Sequence, residues 1–253
     1  MNRDRIEQLA TPLAVLLALA FFLQAFVGAR DKSLTWDEPA YIAAGWAMLE
    51  LGEVDPFFNA APLVQQLIAL PLLGLDLNAP YPNDSSWRKL GNPEGAFGRR
   101  FLFRSGNDLQ RITRLARIPV HIIGAVLVFT IFAWARPLYG SGPALGAATL
   151  AATSPNLVAH GKFATTDLGC ALFMFLAMVG FWRGWHSGRS RDWLLCGVLT
   201  GLALLAKFTS LLLGPIFLLL SALLWRGRPS HMTFRSLLVA GALALDPHLV
   251  ARA

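Results

Sequence analysis

The feature that most constrains this chain is the recurrence of apolar runs that are predicted to be membrane spans. Among its 253 residues, such runs cover 12–28, 118–135, 143–158, 166–182, 193–206 and 211–225. A helix needs about 20 apolar residues to cross the hydrocarbon core, and inside it the backbone must satisfy its own hydrogen bonds. The runs therefore predict an all-α, multi-pass transmembrane helical protein.

Composition supports a membrane protein, because 55% of the residues are hydrophobic and only 15% are charged. Soluble domains carry roughly 25% charged residues. The net charge is +7, but the basic residues lie between apolar runs, which favours contact with anionic lipid headgroups over nucleic acid. The two cysteines, Cys170 and Cys196, lie inside apolar runs without metal-ligand spacing, so no metal site is predicted from them.

The charge of the loops predicts the orientation of the chain. Short arginine-rich loops follow residues 135, 182 and 225, and short positive loops stay in the cytoplasm. The amino terminus is then cytoplasmic and the long loop 30–117 lies outside. The run 12–28 could also serve as a signal peptide, but its length favours a retained helix. By its style of composition, we expect a bacterial inner membrane protein.

The outer loop opens with two adjacent carboxylates, Asp37 and Glu38, between Trp36 and Tyr41. Asp37 is predicted to be the N-cap of a short amphipathic helix that ends at Gly52. Two interpretations are open at this point. Asp37 caps the helix while Glu38 complements the helix dipole, or the two carboxylates carry chemistry.

The rest of the outer loop predicts a second amphipathic helix, a loop and a basic segment. The helix follows Pro62 and ends at Pro71, with Gln65 and Gln66 on its polar face. Residues 80–98 are rich in Pro, Asn, Gly and Ser, which is typical of a loop. The basic segment forms either a solvated surface or a phosphate-binding site. It contains Arg99, Arg100, Arg104, Arg111, Arg114 and Arg117.

Two further turns are predicted on the outer face, and both carry ionisable groups. One is the turn 154–167 with His160, Lys162 and Asp167, and the other surrounds Lys207. A charge placed inside the hydrocarbon costs about 2.5–3.5 kcal/mol or more. Snorkelling by Lys207 or an N-cap role for Asp167 would lower that cost without any function. Three segments that bring acids and bases to one face instead predict a site there.

These motifs resemble the GT-C-fold glycosyltransferases, nearest to family 39, which holds the protein O-mannosyltransferases and the lipid A aminoarabinose transferases. The resemblance rests on the acidic pair in 35–38, on 61–63 with its helix, on 160–167 and on 202–210. It covers nearly all of residues 13–225 and implies a GT-C-like amino-terminal half with interfacial helices in loop 30–117.

The resemblance implies transfer of a sugar from a polyprenyl-phosphate carrier to a protein or lipid acceptor on the outer face. It assigns activation of the acceptor to Asp37, with Glu38 beside it as a second catalytic candidate. Substrate-binding roles fall on Asp167, Lys207, His160, Lys162 and Arg100. Cations suit the leaving phosphate, which needs charge stabilisation and not a protonating acid. No metal is assigned, although a divalent cation beside Asp167 would be compatible with the family.

The chain departs from the family pattern at two places. Several members carry His-Pro-Pro-Leu where this chain has Ala60-Ala61-Pro62-Leu63. A seventh apolar run starts near Leu237 and is interrupted at residues 246–248, which suggests one membrane domain over 1–253 that lacks the carboxy-terminal part of the family fold.

Two alternatives to a working transferase are an inactive fragment of it and a transporter or flippase of lipid-linked sugars. A transporter would place its polar residues near the membrane midplane on broken helices. The acids of this chain are instead predicted at the ends of spans, which favours the transferase.

Overall fold

Every secondary-structure element in the computed structural model is helical within the residues that it describes, which are 3–52, 60–79 and 93–224. The described residues form two compact units that divide between Leu168 and Gly169. The helices are α1 Arg3–Ala29, α2 Glu38–Glu50, α3 Pro62–Ala69, α4 Pro93–Phe103, α5 Leu109–Tyr139, α6 Ser141–Thr153, α7 Pro155–Gly161, α8 Asp167–Ser187, α9 Ser190–Ala206 and α10 Leu213–Leu224. Single 3₁₀ segments follow α3, at Leu70–Leu72, and α9, at Phe208–Leu212.

Three of the described helices are long and apolar enough to cross a membrane. They are Glu7–Ala29 within α1, Leu109–Tyr139, which is α5, and Asp167–Ser187, which is α8. These three match the predicted runs 12–28, 118–135 and 166–182. With 31 residues, α5 is about 46 Å long at 1.5 Å per residue, so it exceeds the ~30 Å hydrocarbon core. Its arginine-bearing first turns can therefore extend beyond the core.

The predicted run 143–158 is not one continuous helix. Helix α6 ends at Thr153, and Ser154 is extended, with φ −60° and ψ 118°. Pro155 then begins α7, and the Ser154 side chain accepts a hydrogen bond from the amide of Leu157. A proline disfavours helical geometry at the residue before it and serves well as the first residue of a new helix. This sequence signal was overlooked in the prediction of a single span.

The two later predicted runs are shorter helices in the structure. Residues 193–206 fall within α9, which has 17 residues. Residues 211–224 are divided between the 3₁₀ segment and the 12 residues of α10. Trp225, the arginine-rich loop that follows it and the predicted seventh run near Leu237 lie outside the described residues. The prediction of about six to seven spans in one membrane domain stays a prediction.

Helix α1 carries a buried face of alanines and one phenylalanine that packs on α5 and α6. That face contains Ala10, Ala14, Ala18, Phe21, Ala25 and Ala29, whereas Leu16, Leu19, Leu23 and Val27 on other faces are exposed. Small residues let helix backbones approach closely, and exposed leucines are compatible with lipid. The close approach is completed by Gly124 of α5, where an added Cβ would lie 2.1 Å from the Phe21 ring.

The segment predicted as the outer loop forms a three-helix layer, called the outer layer, in which α2 lies against α3 and α4. The prediction that α2 is amphipathic does not describe its packing, because every residue from Ile42 to Met48 is buried. Helix α3 does bury one face, but that face includes Gln65, which was predicted to lie on the polar side. Residues 93–98, predicted as loop, form the start of α4, which Pro93 opens and Phe97 and Phe101 anchor by burial. Residues 80–92 lie outside the described chain.

Two glycines bring these three backbones together. An added Cβ at Gly45 of α2 would lie 1.9 Å from the Gln65 carbonyl oxygen, and one at Gly98 of α4 would lie 2.3 Å from the Pro39 carbonyl oxygen. In both cases the obstacle is main chain, which cannot turn aside as a long side chain can. The first turn of α2 and helix α4 are therefore in direct backbone contact.

We predict that Gly98→Ala destabilises the protein by about 1–3 kcal/mol, the usual cost of overpacking a tightly packed site. Thermal unfolding of the purified protein in detergent measures the change. Gly146→Ala in α6 is the matched control, because nothing lies within 4 Å of an added Cβ there and alanine is the better helix former. Equal unfolding temperatures for Gly98→Ala and the control would contradict the backbone contact.

Candidate functional site

The candidate site begins with a buried ion pair between Glu38, the first residue of α2, and Arg117 of α5. The two side chains are 0% and 3% exposed. Arg117 Nε donates to Glu38 Oε1 over 2.8 Å, and Nη2 donates to Oε2 over 2.9 Å. This bidentate contact is the strongest hydrogen-bonding geometry between an arginine and a carboxylate.

The remaining donors of Arg117 bind the chain that leaves α1. Nη1 donates to the carbonyl oxygens of Ala29 and Lys32, and Nη2 donates to the carbonyl oxygen of Ser33. Each of these three distances is 3.0 Å. A guanidinium has five N–H donors, and all of them are used here. Arg117 therefore holds the segment between α1 and α2 in place.

Glu38 is equally well satisfied. Oε1 also accepts from the amide of Ala164 over 2.8 Å, and Oε2 accepts from the amide and the hydroxyl of Thr35 over 2.8 and 3.2 Å. Because Ala164 lies in the turn between α7 and α8, Glu38 connects two of the three outer segments that the sequence predicts to converge. Its contacts are those of a residue that positions the site, not of one that faces substrate.

Asp37 has the opposite environment, although it is the adjacent residue. It occupies the N-cap position of α2, yet its side chain makes no capping hydrogen bond to the helix. Its backbone is in the helical region, with φ −88° and ψ −25°, whereas a capping residue is typically extended. The Asp37 carboxylate is exposed. Asp37 therefore holds the predicted N-cap position without the side-chain capping bond that a cap would make.

Asp37 lines a cavity of about 660 Å³ that lies over the first turn of α2 and the start of α4. Three aromatic residues, Trp36, Tyr41 and Phe103, line it together with Glu94 and Arg99 of α4. Trp36 is 86% exposed. The wall also includes Ala60, the position at which several members of the resembled family carry histidine. The cavity thus combines acids, one arginine and aromatic faces.

Glu94 is a site residue that the sequence analysis missed. It is 6% exposed and accepts one hydrogen bond, from Gln65 Nε2 over 3.0 Å. Burial raises the pKa of Glu94 to about 7; the Gln65 hydrogen bond opposes that rise, and the negative charge of Asp37 adds to it. In the sequence, Pro93 followed by an acid indicates the start of a helix. The composition of the surrounding stretch is typical of a loop, which concealed that signal.

The predicted binding residues of the second outer turn form a partly exposed group. His160 Nδ1 lies 3.4 Å from Asp167 Oδ2, which pairs the end of α7 with the first residue of α8. Lys162 follows α7 and packs on α1, since an added Cβ at Gly28 would lie 2.7 Å from Lys162 Cε. This group is connected to the Asp37 segment through the bond between Ala164 and Glu38.

The other two predicted binding residues are placed differently. Arg100 is exposed on α4 but is not among the residues that line the Asp37 cavity, whereas its neighbour Arg99 is. Lys207 belongs to the second compact unit, where it separates α9 from the following 3₁₀ segment with an extended backbone. In residues 3–52, 60–79 and 93–224, no three His, Cys, Asp or Glu side chains cluster as a metal site would require.

Comparison with known proteins gives one family. The family model described as dolichyl-phosphate-mannose-protein mannosyltransferase matches residues 108–250, more than half of the chain. The chain belongs to this family. It is therefore a membrane glycosyltransferase by family, which agrees with the resemblance seen in the sequence. Neither a curated protein nor a solved structure gives a significant match.

The matched segment begins at Asp108 and includes Arg117, the turn 160–167 and Lys207. It does not include the Asp37 segment or α4, although Arg117 makes its ion pair with Glu38 outside that range. The structure thus joins the family-matched part of the chain to the Asp37 segment through buried contacts, among them this ion pair and the bond from the Ala164 amide to Glu38.

We predict that Glu38→Gln destabilises the protein by about 3–5 kcal/mol, because it leaves the buried charge of Arg117 without its partner. Unfolding by heat or denaturant in detergent measures the loss. The matched control is Glu7→Gln, which removes the partner of Arg136 from an exposed pair, 37% and 49% exposed. Exposed pairs contribute about 0–1 kcal/mol, so similar losses for the two variants would contradict the role of Glu38.

Proposed function

We propose that the protein transfers a sugar from a polyprenyl-phosphate carrier to a hydroxyl-bearing acceptor on the outer face of the membrane, with Asp37 as the general base. One observation carries the proposal. Asp37 is an exposed carboxylate on a cavity wall, while the adjacent Glu38 is buried and holds the backbone around it. Family membership supports the class of reaction.

In the proposed step, Asp37 removes the proton of the acceptor hydroxyl while that oxygen attacks the anomeric carbon of the sugar. The bond between the anomeric carbon and the phosphate oxygen breaks, and its electron pair stays on the polyprenyl phosphate. The new glycosidic bond forms on the opposite face, so one carboxylate base is sufficient. Asp37 ends the step protonated and, because it is exposed, can release that proton to water.

The leaving phosphate gains negative charge and needs positive partners. Arg99 is the basic side chain that shares the cavity with Asp37, so we assign it to the phosphate in preference to Arg100. Arg117 is excluded from that role because its donors are all used by Glu38 and by backbone oxygens. Lys207 stays a candidate from the sequence, as does Lys162.

His160 and Asp167 are proposed to bind the acceptor from the second outer turn, where they lie as a pair. The proposed topology keeps the prediction from the loops, with the amino terminus in the cytoplasm and the cavity outside. The bacterial inner membrane is the proposed location, with its lipids as the surrounding partners. The acids lie at helix starts, Asp37 before α2 and Asp167 at the start of α8, as expected for a transferase of this kind.

We predict that Asp37→Asn lowers sugar transfer by about 100-fold or more, since a positioned base contributes roughly 10²–10⁴-fold. The assay follows radiolabelled mannose from polyprenyl-phosphate mannose into acceptors in membranes that contain the full chain. The matched control is Asp31→Asn, an exposed carboxylate of the same segment that does not line the cavity. Transfer that Asp37→Asn leaves intact would rule out Asp37 as the base.

A further inference from the structure

The two buried glutamates of the outer layer have very different surroundings. Glu38 accepts five hydrogen bonds, two of them from a guanidinium. Glu94 accepts one, from the neutral amide of Gln65, and no other donor to it occurs among the described residues. A buried carboxylate is stable only with charge and hydrogen-bond partners. Glu38 meets that condition as an anion, and Glu94 does not.

The amide beside Glu94 is also incompletely bonded. Gln65 Oε1 is buried without a hydrogen-bond partner in the described part of the chain. The N and O atoms of a side-chain amide are assigned from their hydrogen-bond partners, so the Gln65 amide can be flipped to point its oxygen at Glu94. In that orientation, a protonated Glu94 can donate to the Gln65 oxygen or to a molecule in the cavity. An ionised Glu94 can donate to neither.

The negative charge that faces Glu94 favours its neutral form. Asp37, before α2, lines the same cavity and repels a second negative charge. Tyr41 of α2 also lines the cavity, and Arg99, the basic group there, acts in the opposite sense. Helix α3 contributes Gln65, which is uncharged. The raised pKa of Glu94, about 7, agrees with this geometry.

We propose that Glu94 is a substrate-binding residue that donates a hydrogen bond from its protonated carboxyl to a sugar oxygen held in the Asp37 cavity. The inference rests on the proposed function, because it takes the cavity as the place where the sugar binds. It gives the two cavity acids separate roles: Asp37 accepts a proton, and Glu94 keeps one. The aromatic faces of Trp36 and Tyr41 suit the apolar face of a sugar ring in the same space.

Infrared titration of the full chain in detergent tests the state of Glu94 without any activity. We expect a protonated-carboxyl signal that disappears with a midpoint near pH 7, as the raised pKa of Glu94 implies, and that is missing in Glu94→Gln. Asp37→Asn should move that midpoint to lower pH, because it removes a neighbouring negative charge. A signal that Glu94→Gln leaves in place, or a midpoint that Asp37→Asn does not move, overturns the proposal.

Adding a lipid-linked sugar to the same sample tests contact with the sugar. Polyprenyl-phosphate mannose and polyprenyl-phosphate glucose are the probes, and sugar-free polyprenyl phosphate is the control. A shift of the Glu94 band with a sugar-bearing lipid and not with the control supports the proposal. No shift with either sugar, or an equal shift with the control, overturns it. The infrared shift reports binding of the sugar and not its transfer. It therefore tests Glu94 even if the Asp37→Asn assay shows that the proposed transfer is wrong.

Transfer measured against pH provides a third test. Activity of the unchanged protein should fall as pH rises through about 7, because Glu94 loses the proton that it donates. Glu94→Ala should lower kcat/KM by about 10- to 100-fold, and Glu94→Gln, which keeps an N–H donor, should recover part of that loss without the fall above neutral pH. If Glu94 were merely structural, its substitutions would lower activity equally at every pH, and that outcome overturns the proposal.

Discussion

The fold of the outer layer depends on the buried ion pair between Glu38 and Arg117. The pair satisfies every donor of the guanidinium and joins the end of α1, the start of α2, helix α5 and the turn before α8. Its two partners lie 79 residues apart in the chain. Removing either partner leaves an uncompensated buried charge, so each partner needs the other. Asp37 directly precedes Glu38 in the chain, so the pair also fixes where the backbone of Asp37 lies.

Three carboxylates of the same layer show how environment divides their roles. Glu38 is charged and enclosed, Asp37 is exposed at the cavity, and Glu94 is buried with one neutral partner. The chemistry of the side chains is nearly identical, so the difference lies in the donors that the backbone brings to each. An acid with many donors is held as an anion, whereas an acid with one neutral donor keeps its proton more readily.

Helices and their membrane character could be predicted from the sequence, since long apolar runs and caps are local signals. The acidic pair and the turn around His160 and Asp167 were also visible, because their residue types are unusual beside apolar runs. The long-range partner of Glu38 was not. Arg117 is one of six arginines in a basic segment, and only folding shows that it alone is buried. Glu94 was missed because the Pro- and Gly-rich composition around it concealed the start of a helix.

The glycine contacts between α2, α3 and α4 have a consequence for how such a site can change during evolution. Gly45 and Gly98 bring main chain against main chain, so the spacing of the cavity walls does not depend on the side chains that line them. Residues such as Trp36, Ala60 and Arg99 can then be exchanged while the walls stay where they are. A frame of this kind allows one scaffold to acquire different sugar or acceptor preferences by single substitutions, each of which leaves the position of Asp37 unchanged.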